Sequence, residues 1–502
     1  MNGVSSGQEG ARAATTHDAG AAEDILRQRL EASASDLSAG LQLARLEWER
    51  NNRTVAVEIL SRLWTATRSP EAGDLLARMS LELARGLDKA LEEDRAIVGR
   101  LAGMIRALHG PGGILVDTLQ YDIIGGLAID VLSLVPVFKA GWTERTGKKV
   151  VFFSGDSANP ALVDMIAREL PVFSDRSFGR LLRYCRYDAD TGRFELSRRF
   201  QDDFFGRHVD LFRDLVEFTH STNGRDYCRT PEEKNIGHAV DAPQIALSAE
   251  EEERGRRFLR EALELPPEGW FVCVYARDGA YYNETPQSNN WYRNSDIRTF
   301  VPAIDEILAS GGHVVRIGER VGTRLEHPDP RFFDYSNSAQ RDPFLDIYLL
   351  AHCRFLLGSP SGLCHVAYAF RTPGLMVNTI NVCTVSSSDL YIPKPIRDTR
   401  THKRLKFDEF LERVRDHGDP GLFVENGNSQ RDVLHVCYED NTPEDIAAAT
   451  REMLHRMAGT FRESEISAGT RERFRQTWLR FQPHMAETKI ASSFLEAHPE
   501  LF

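Results

Sequence analysis

Helix-forming residues dominate the first part of this chain, and short apolar runs alternating with amphipathic stretches dominate the rest. From Ala21 to about Leu108 the chain is dense in Ala, Leu, Glu and Arg and carries very little Gly or Pro, which predicts helix throughout. Within it, Leu43, Ala44, Trp48, Ala56, Leu60, Leu63 and Pro70 sit near the spacing of a tetratricopeptide-type hairpin, with Asn51-Asn52 at the turn. The alternatives for this segment are a protein-docking repeat and a plain helical hairpin packed on the body of the protein. Residues 1–20, rich in Gly, Ala and Ser without apolar period, are expected to be disordered.

The rhythm changes at His109-Gly110-Pro111-Gly112-Gly113. ILVDTL (114–119) and KKVVFFSGD (148–156) read as buried strands, with a Gly-containing loop, YDIIGGLAID, and an amphipathic stretch between them; ALVDMIAREL follows as a helix. Residues 175–245 mix aromatic and charged side chains (RRFQDDFFGRHVDLFRDLVEF) and read as helical, lining a cleft. A second series follows the charged helix LSAEEEERGRRFLREAL. Its predicted strands are WFVCVYARD (270–278), HVVRIGE (313–319), RFLLGS (354–359) and PGLMVN (373–378). Its predicted helices are SDIRTFVPAIDEILASGG, with Ser295 as N-cap and Gly311-Gly312 as stop, then DPFLDIYLLAHC, SGLCHVAYAF and TPEDIAAATREMLHRM (442–457). This is βα alternation, the mark of parallel sheets with crossover helices. The expected class is α/β: two Rossmann-like domains, 109–245 and 246–460, after the helical segment 21–108 and before a helical tail, 461–502.

Composition narrows the function. In 502 residues, 62 Lys plus Arg against 74 Asp plus Glu leave a net charge of −12, a poor balance for wrapping nucleic acid or anionic lipid. The longest apolar stretches, such as Ile123 to Val137, are interrupted by Asp130 and Ser133 and too short to span a bilayer, and the N-terminus has no signal-peptide pattern. The 7 Cys are scattered without a CxxC pair, which argues for reduced thiols rather than disulfides or structural zinc. A cytoplasmic protein is expected, or one peripheral to the inner membrane.

Ligands of parallel sheets bind where strands end and helices begin, and three such turns carry chemistry here. In YARDGAYYNETPQSNNWYRNSD (275–296), Arg277 follows a strand, Arg293 and Asn294 precede a helix, and Tyr281, Tyr282, Trp291 and Tyr292 lie between, a set suited to a phosphorylated, ring-bearing ligand. The bland alternative is a surface loop with Arg277–Asp278 and Arg293–Asp296 pairs. In RIGERVG, Arg316 needs a partner if buried, Gly318 permits close backbone approach and Glu319 can accept hydrogen bonds from a sugar; an internal salt bridge accounts for the turn equally well. In FLLGSPSGLCHVAYAFRTPGLMVN (355–378), Gly358, Ser359, Ser361 and Gly362 lead into a helix whose free N–H groups make an anion site, with His365 on its first turn. In the first domain, Gly125 and Gly126 form another strand-to-helix turn, on the side expected to receive an acceptor. Asp117, Asp122, Asp130 and Asp156 are general-base candidates, each also suited to capping or ion pairing. Asp188-Ala189-Asp190 reads as a polar turn rather than a metal site, and there is no GxxxxGK[ST], HExxH or GxSxG.

Gly358, Ser361, Gly362, His365, Ala367, Ala369 and Pro373 resemble the G-x-S/T-G-x-x-H-x-A-x-A-x-x-x-P pattern of heptosyltransferase-type glycosyltransferases, with one extra loop residue. More broadly, 111–502 is similar to bacterial glycosyltransferases of surface-polysaccharide clusters, through RD…YY…RNSDI…PAI, RIGE, DPFLDIYLLAHCRFLLGSPSG, NTPEDIAAATREML and SSFLEAHPELF. The resemblance implies the two-Rossmann GT-B fold, a nucleotide-sugar donor held mainly by the C-terminal domain, and no metal or other cofactor. It places Ser359, Ser361, Gly362 and His365 at the donor phosphates and Arg277 at the leaving diphosphate, as in fucosyltransferase-like GT-B enzymes. Gly126 stands where heptosyltransferases carry their catalytic Asp, so Asp122 or Asp130 would have to serve, or the mechanism differs. The acceptor would be a glycan, a lipid-linked glycan or a protein, the last presented through 21–108, a segment that could also dock a protein partner. Two other readings stay open: a nucleotide-sugar epimerase on the same fold, and a non-catalytic nucleotide-binding protein.

Overall fold

A computed structural model describes residues 25–30, 32–33, 35–49, 53–79, 100, 104, 107, 114–119, 123–147, 149–154, 157–174, 185–188, 193–196, 216–218, 242–285, 288, 291–380, 390–417, 432–479 and 489–502. The expected disordered stretch 1–20, the turn Asn51-Asn52, and Asp122, Asp156 and Asp190 lie outside these residues. The chain divides into two compact units, 1–101 and 102–502.

In the first unit, α1 (Leu37–Glu49) packs on α2 (Arg53–Thr67). Leu41, Ala44, Ala56, Leu60 and Leu63, with Ala72, Leu75 and Met79 of the next helical stretch, form its core. Gly40 lets the helices approach: a Cβ there would stand 2.6 Å from Leu63 Cδ2. The buried Glu47 is paired with Arg27.

The second unit holds two parallel sheets. The first comprises β1 (Ile114–Thr118), β2 (Lys149–Ser154) and β3 (Val172–Ser174); beyond a hairpin of β4 (Cys185–Asp188) and β5 (Arg193–Leu196) comes β6 (Val216–Phe218). Its order is β3-β2-β1-β6, all parallel. The 175–245 region was expected to be helical, and its described residues up to 218 are these strands. Val216–Phe218 pairs with Ile114–Val116, because a short apolar run is helix or strand according to what it packs against. After β1, α3 (Ile124–Lys139) starts before the glycines rather than after them, so Gly125 and Gly126 lie on its first turn. After β2, α4 (Pro160–Glu169) is capped by Asn159, whose Oδ1 accepts from Leu162 N at 2.9 Å.

The second sheet follows α5 (Ala249–Ala262), opened by a Ser248/Glu251 capping box. It is built from β7 (Phe271–Tyr275), β8 (His313–Arg316), β9 (Phe332–Asp334), β10 (Leu356–Gly358), β11 (Gly374–Thr379) and β12 (Leu390–Pro393). A small antiparallel sheet of β13 (Ile396–Asp398), β14 (Arg404–Leu405) and β15 (Val436–Tyr438) stands beside it, and β16 (Lys489–Ile490) completes the main one. The main order is β16-β12-β11-β10-β7-β8-β9, parallel throughout. Between the strands run α6 (Val301–Ala309), α7 (Pro343–His352) and α8 (Gly362–Ala369). Later come α9 (Phe407–His417), α10 (Pro443–Met457), α11 (Glu465–Leu479) and α12 (Ser492–Ala497). Ser295 was the expected cap before α6. Asp296 takes that place instead, accepting from Arg298 N at 2.9 Å over a single 3₁₀ turn, Ile297–Phe300, that precedes the helix. Ser295 N is drawn the other way, onto Arg277 O at 2.8 Å.

One continuous apolar core runs through both sheets. Polar bonds also join the two halves: Asn159 Nδ2 donates to Pro343 O at 2.9 Å and Arg168 Nη1 to Glu251 Oε2 at 2.8 Å. Among the described residues, no helix is long and apolar enough to cross a membrane.

Candidate functional site

The carboxyl ends of β7, β8 and β10 face the start of α3 across a cleft of about 370 Å³. The two helices that meet there touch through glycine. A Cβ on Gly125 would lie 2.8 Å from Gly362 Cα, and one on Gly362 would lie 2.7 Å from Gly125 N. Only hydrogen at both positions lets the first turns of α3 and α8 come this close, so two sets of free helix N–H groups open on one space. Ser361 is the N-cap of α8, and its N–H donates to Cys364 Sγ at 3.2 Å. Cys364 thus braces the small-residue turn from inside, a role its neighbour His365 does not share; His365 lines the cleft, its ring 6.1 Å from that of Tyr368.

Arg277 follows β7 directly. It is 6% exposed and lines the cleft. Its N–H donates to Ser359 Oγ at 2.7 Å, and its guanidinium grips Glu284, with Nη1 to Oε2 at 2.9 Å, and also donates to Asn294 Oδ1. Asn294 Nδ2 completes the triangle to Glu284 at 3.3 Å. Burial pushes the Glu284 carboxyl up, but the hydrogen bond and charge of Arg277, with Asn294, outweigh it and hold the carboxyl below the usual carboxylate range. The Arg277–Asp278 pair considered from the sequence does not form. Asp278 instead accepts from Ala280 N at 3.0 Å and Gly322 N at 2.7 Å, joining two loops. Nor does Arg293 pair with Asp296, which is engaged by Arg298. Arg293 lines the cleft and reaches Pro360 O at 3.4 Å, next to the turn that opens α8.

Other expected donor contacts divide. Tyr282, Gly318, Glu319, Ser361, Gly362 and His365 line the cleft, as do Gly125 and Gly126 from the other side. Gly318 has φ +143, open only to glycine without strain. Arg316, Ser359 and Asn294 do not line it. Arg316, 2% exposed, lies behind the cleft with Nη1 3.2 Å from Asp334 Oδ2; Ser359 is fully buried beneath Arg277; Asn294 stands behind Arg277 and Glu284. Asp130, a base candidate, is buried within α3 and does not line the cleft, since its neighbour Ile129 takes the cleft-facing position on the helix. The backbone of Asp117 lies in β1.

Several residues at the site were not singled out from the sequence. Asp346 of α7 is 8% exposed and lines the cleft. Its Oδ2 accepts from Arg341 Nη2 at 2.7 Å, and Oδ1 has no hydrogen-bond partner. Burial lifts this carboxyl to about 6, against the pull of Arg341 and with a push from Glu319. Its signal in the sequence was one acid inside the apolar run FLDIYLL, where a buried helix face leaves no room for an unused charge. Arg320, Arg341 and Asn159 also line the cleft. Lys394, 3% exposed, sits deeper: Nζ donates to Tyr292 O at 2.8 Å, Asn294 O at 3.0 Å and Asp440 Oδ1 at 2.6 Å, tying down the turn that carries Arg293. Burial lowers the Lys394 pKa, with Asp440 opposing it.

Among the described residues no group of three or more His, Cys, Asp or Glu could hold a metal ion. The positive elements of the cleft are Arg277, Arg293, Arg320, Arg341 and the two helix N-termini. Such a set binds and stabilises negative charge.

No protein-family model matches the chain, and no curated protein matches it. Among solved structures, it is similar to a family 9 glycosyl transferase from Veillonella parvula, at 11% identity and TM-score 0.35, over 56% of this chain and 86% of that one. It is also similar to ADP-heptose LPS heptosyltransferase II of E. coli, at 12% and 0.31, over 53% and 84%. The E. coli heptosyltransferase WaaC matches at 11% and 0.29, over 56% and 93%. These neighbours are glycosyltransferases.

Proposed function

We propose that this protein is a metal-independent glycosyltransferase of GT-B architecture. It moves a sugar, of hexosyl or related type, from a nucleotide-sugar donor to an acceptor hydroxyl of a glycan, a lipid-linked glycan or a protein. The observation that carries this reading is the convergence of Arg277, Arg293 and the Gly125–Gly362 crossing of two helix N-termini on one cleft. In glycosyl transfer the acceptor hydroxyl gives up its proton to a base or to water, its oxygen bonds to the anomeric carbon as that carbon's bond to the diphosphate breaks, and the departing diphosphate takes up negative charge. Preorganised guanidinium and backbone N–H groups in a water-poor cleft stabilise that charge without a cation.

Arg277 is held rigid for this role by Glu284 and Asn294, and Arg293 by the turn that Lys394 anchors. The experiment is a thermal-shift panel of UDP, GDP, CMP, dTDP and ADP, followed by donor hydrolysis with the best binder's sugar conjugates. Arg277→Ala and His365→Ala should each lower turnover by about 10²–10³. Wild-type rates in both would remove the proposed phosphate site.

A second reading is non-catalytic. Under that reading a nucleotide binds tightly and no donor is turned over. An epimer formed from donor alone would instead mark the epimerase reading.

A further inference from the structure

Behind the charged wall of the cleft, three oxygen atoms from two distant stretches of chain converge on one ammonium group. Lys394 follows β12, is 3% exposed and does not line the cleft. Its Nζ donates to the backbone carbonyls of Tyr292 at 2.8 Å and Asn294 at 3.0 Å, and to Asp440 Oδ1 at 2.6 Å. An ammonium has three N–H donors, and here each has its acceptor, so the group is fixed in orientation. The lysine is itself pinned. Its backbone N–H donates to Thr379 O at 2.7 Å, at the end of β11, and the carbonyl before it accepts from Asn441 Nδ2 at 2.8 Å. On the other side, the Tyr292 ring stacks on that of Tyr438, centroids 5.7 Å apart at 30°.

The two carbonyls that Lys394 holds stand on either side of Arg293, which lines the cleft. Asn294 is held at both ends: its carbonyl by Lys394, and its side chain by the Arg277–Glu284 pair, where Oδ1 accepts from Arg277 and Nδ2 donates to Glu284 at 3.3 Å. One buried cation is therefore tied to both guanidiniums, to Arg293 through the flanking backbone and to Arg277 through Asn294. Resting on the glycosyltransferase reading, we propose that Lys394 is a positioning residue for the leaving diphosphate: it touches no ligand, and it holds Arg293 and Arg277 at one spacing so that a single anion meets both. Burial works against the charge of Lys394 and Asp440 works for it. An apolar side chain of similar length would fill the same space without that cost, but it could not bond two carbonyls at once and so could not fix the turn that aims Arg293.

The test is a double-mutant cycle on the full chain, read by calorimetry with inorganic pyrophosphate. Lys394→Met keeps the apolar stem and removes the ammonium, and should weaken pyrophosphate by about tenfold. In an Arg293→Ala background the same change should cost less than about twofold, because the group it positions is already gone. Asp440 is 44% exposed, so Asp440→Asn is the milder variant. It should weaken binding by about threefold, a loss that also disappears with Arg293→Ala. A circular dichroism melt checks folding, and if Lys394→Met does not fold, Asp440→Asn decides. Equal losses in the two backgrounds, as a general loosening of the fold would give, overturn the inference, and so does wild-type affinity in the variants. The expected coupling in a chain that turns over no nucleotide-sugar would sink the glycosyltransferase reading and leave Lys394 in its role. A chain that turns over a donor but binds no pyrophosphate would do the reverse.

Discussion

One wall of the cleft meets it with Ile123, Ile124, Gly125, Gly126, Ile129, Ala158 and Asn159; the facing wall meets it with Arg277, Asp278, Arg293, Glu319, Arg320, Arg341, Asp346 and His365. The first acts through shape, through backbone N–H groups and through what it excludes. The second acts through charge. The difference is also one of support. Arg277 is buried against Glu284 and Asn294, and Lys394 anchors the turn behind them, so the charged wall rests on a second row of polar bonds. The apolar wall rests on glycine contact with α8 and on the Asn159 bond to Pro343. Removing a group should therefore have different consequences on the two sides: an uncompensated charge on one, a misfit on the other.

The largest effect is expected at Glu284. Both partners of its ion pair with Arg277 are 7% exposed, and Glu284→Ala removes the carboxylate that the buried guanidinium grips. Urea unfolding should show a loss of about 3–5 kcal/mol. A loss under about 1 kcal/mol, the range of exposed pairs, would mean that the charged wall has no special rigidity.

Asp346 comes next, and its effect depends on pH. Its carboxyl, lifted to about 6 by burial against the opposing pull of Arg341, binds its proton more tightly in the folded than in the unfolded chain. The stability it contributes is complete below the unfolded value and is lost as pH rises through about 6. Asp346→Asn has no such loss. The unfolding free energy of the variant relative to wild type should therefore rise between about pH 4 and pH 8, by on the order of 2–3 kcal/mol. A difference that is flat across that window would show that the carboxyl titrates normally and that the charged wall tolerates it as an ordinary surface acid.

The smallest of the three tests the other wall. Gly125→Ala puts a methyl group 2.8 Å from Gly362 Cα, where only backbone can give way. Overpacking of this kind costs about 1–3 kcal/mol, partly offset by about 0.5–1 kcal/mol of helix propensity. Calorimetry with pyrophosphate should show weaker binding with an unchanged dependence on salt, whereas Arg293→Ala should flatten that dependence. If Gly125→Ala simply stabilised the protein and left anion binding alone, the glycine crossing would have no part in the site.

Much of the second sheet was legible in the sequence because its strands are buried on both faces and read as unbroken apolar runs, as in FVCVY and GLMVNT. The helix start at Thr442 was legible for a local reason: a capping residue is followed by Pro at the first helical position. Ser295 was misread because two polar residues adjoin and only the pull of Arg277 O decides that Asp296 is the cap. Val216–Phe218 was misread because its partner, Ile114–Val116, lies a hundred residues away, beyond any local pattern. Of the site, the cleft-facing Arg277 and Gly318 to Glu319 were legible from their place at strand ends, and Arg293 from its place before a helix. Asp346 was not, since its raised carboxyl depends on a burial that no spacing encodes.

By itself, then, the order of residues determined what is local: the βα alternation, the caps, the glycines where backbone must turn, and the basic residues at strand ends. Tertiary structure alone decided which of those residues share a space. It turned Arg316 and Asp130 away from the cleft, set Glu284 rather than Asp278 against Arg277, and brought Gly125 to Gly362. The physical reason is that propensity and capping act over a few bonds, whereas desolvation, ion pairing and close packing depend on distances that exist only once the sheets have come together.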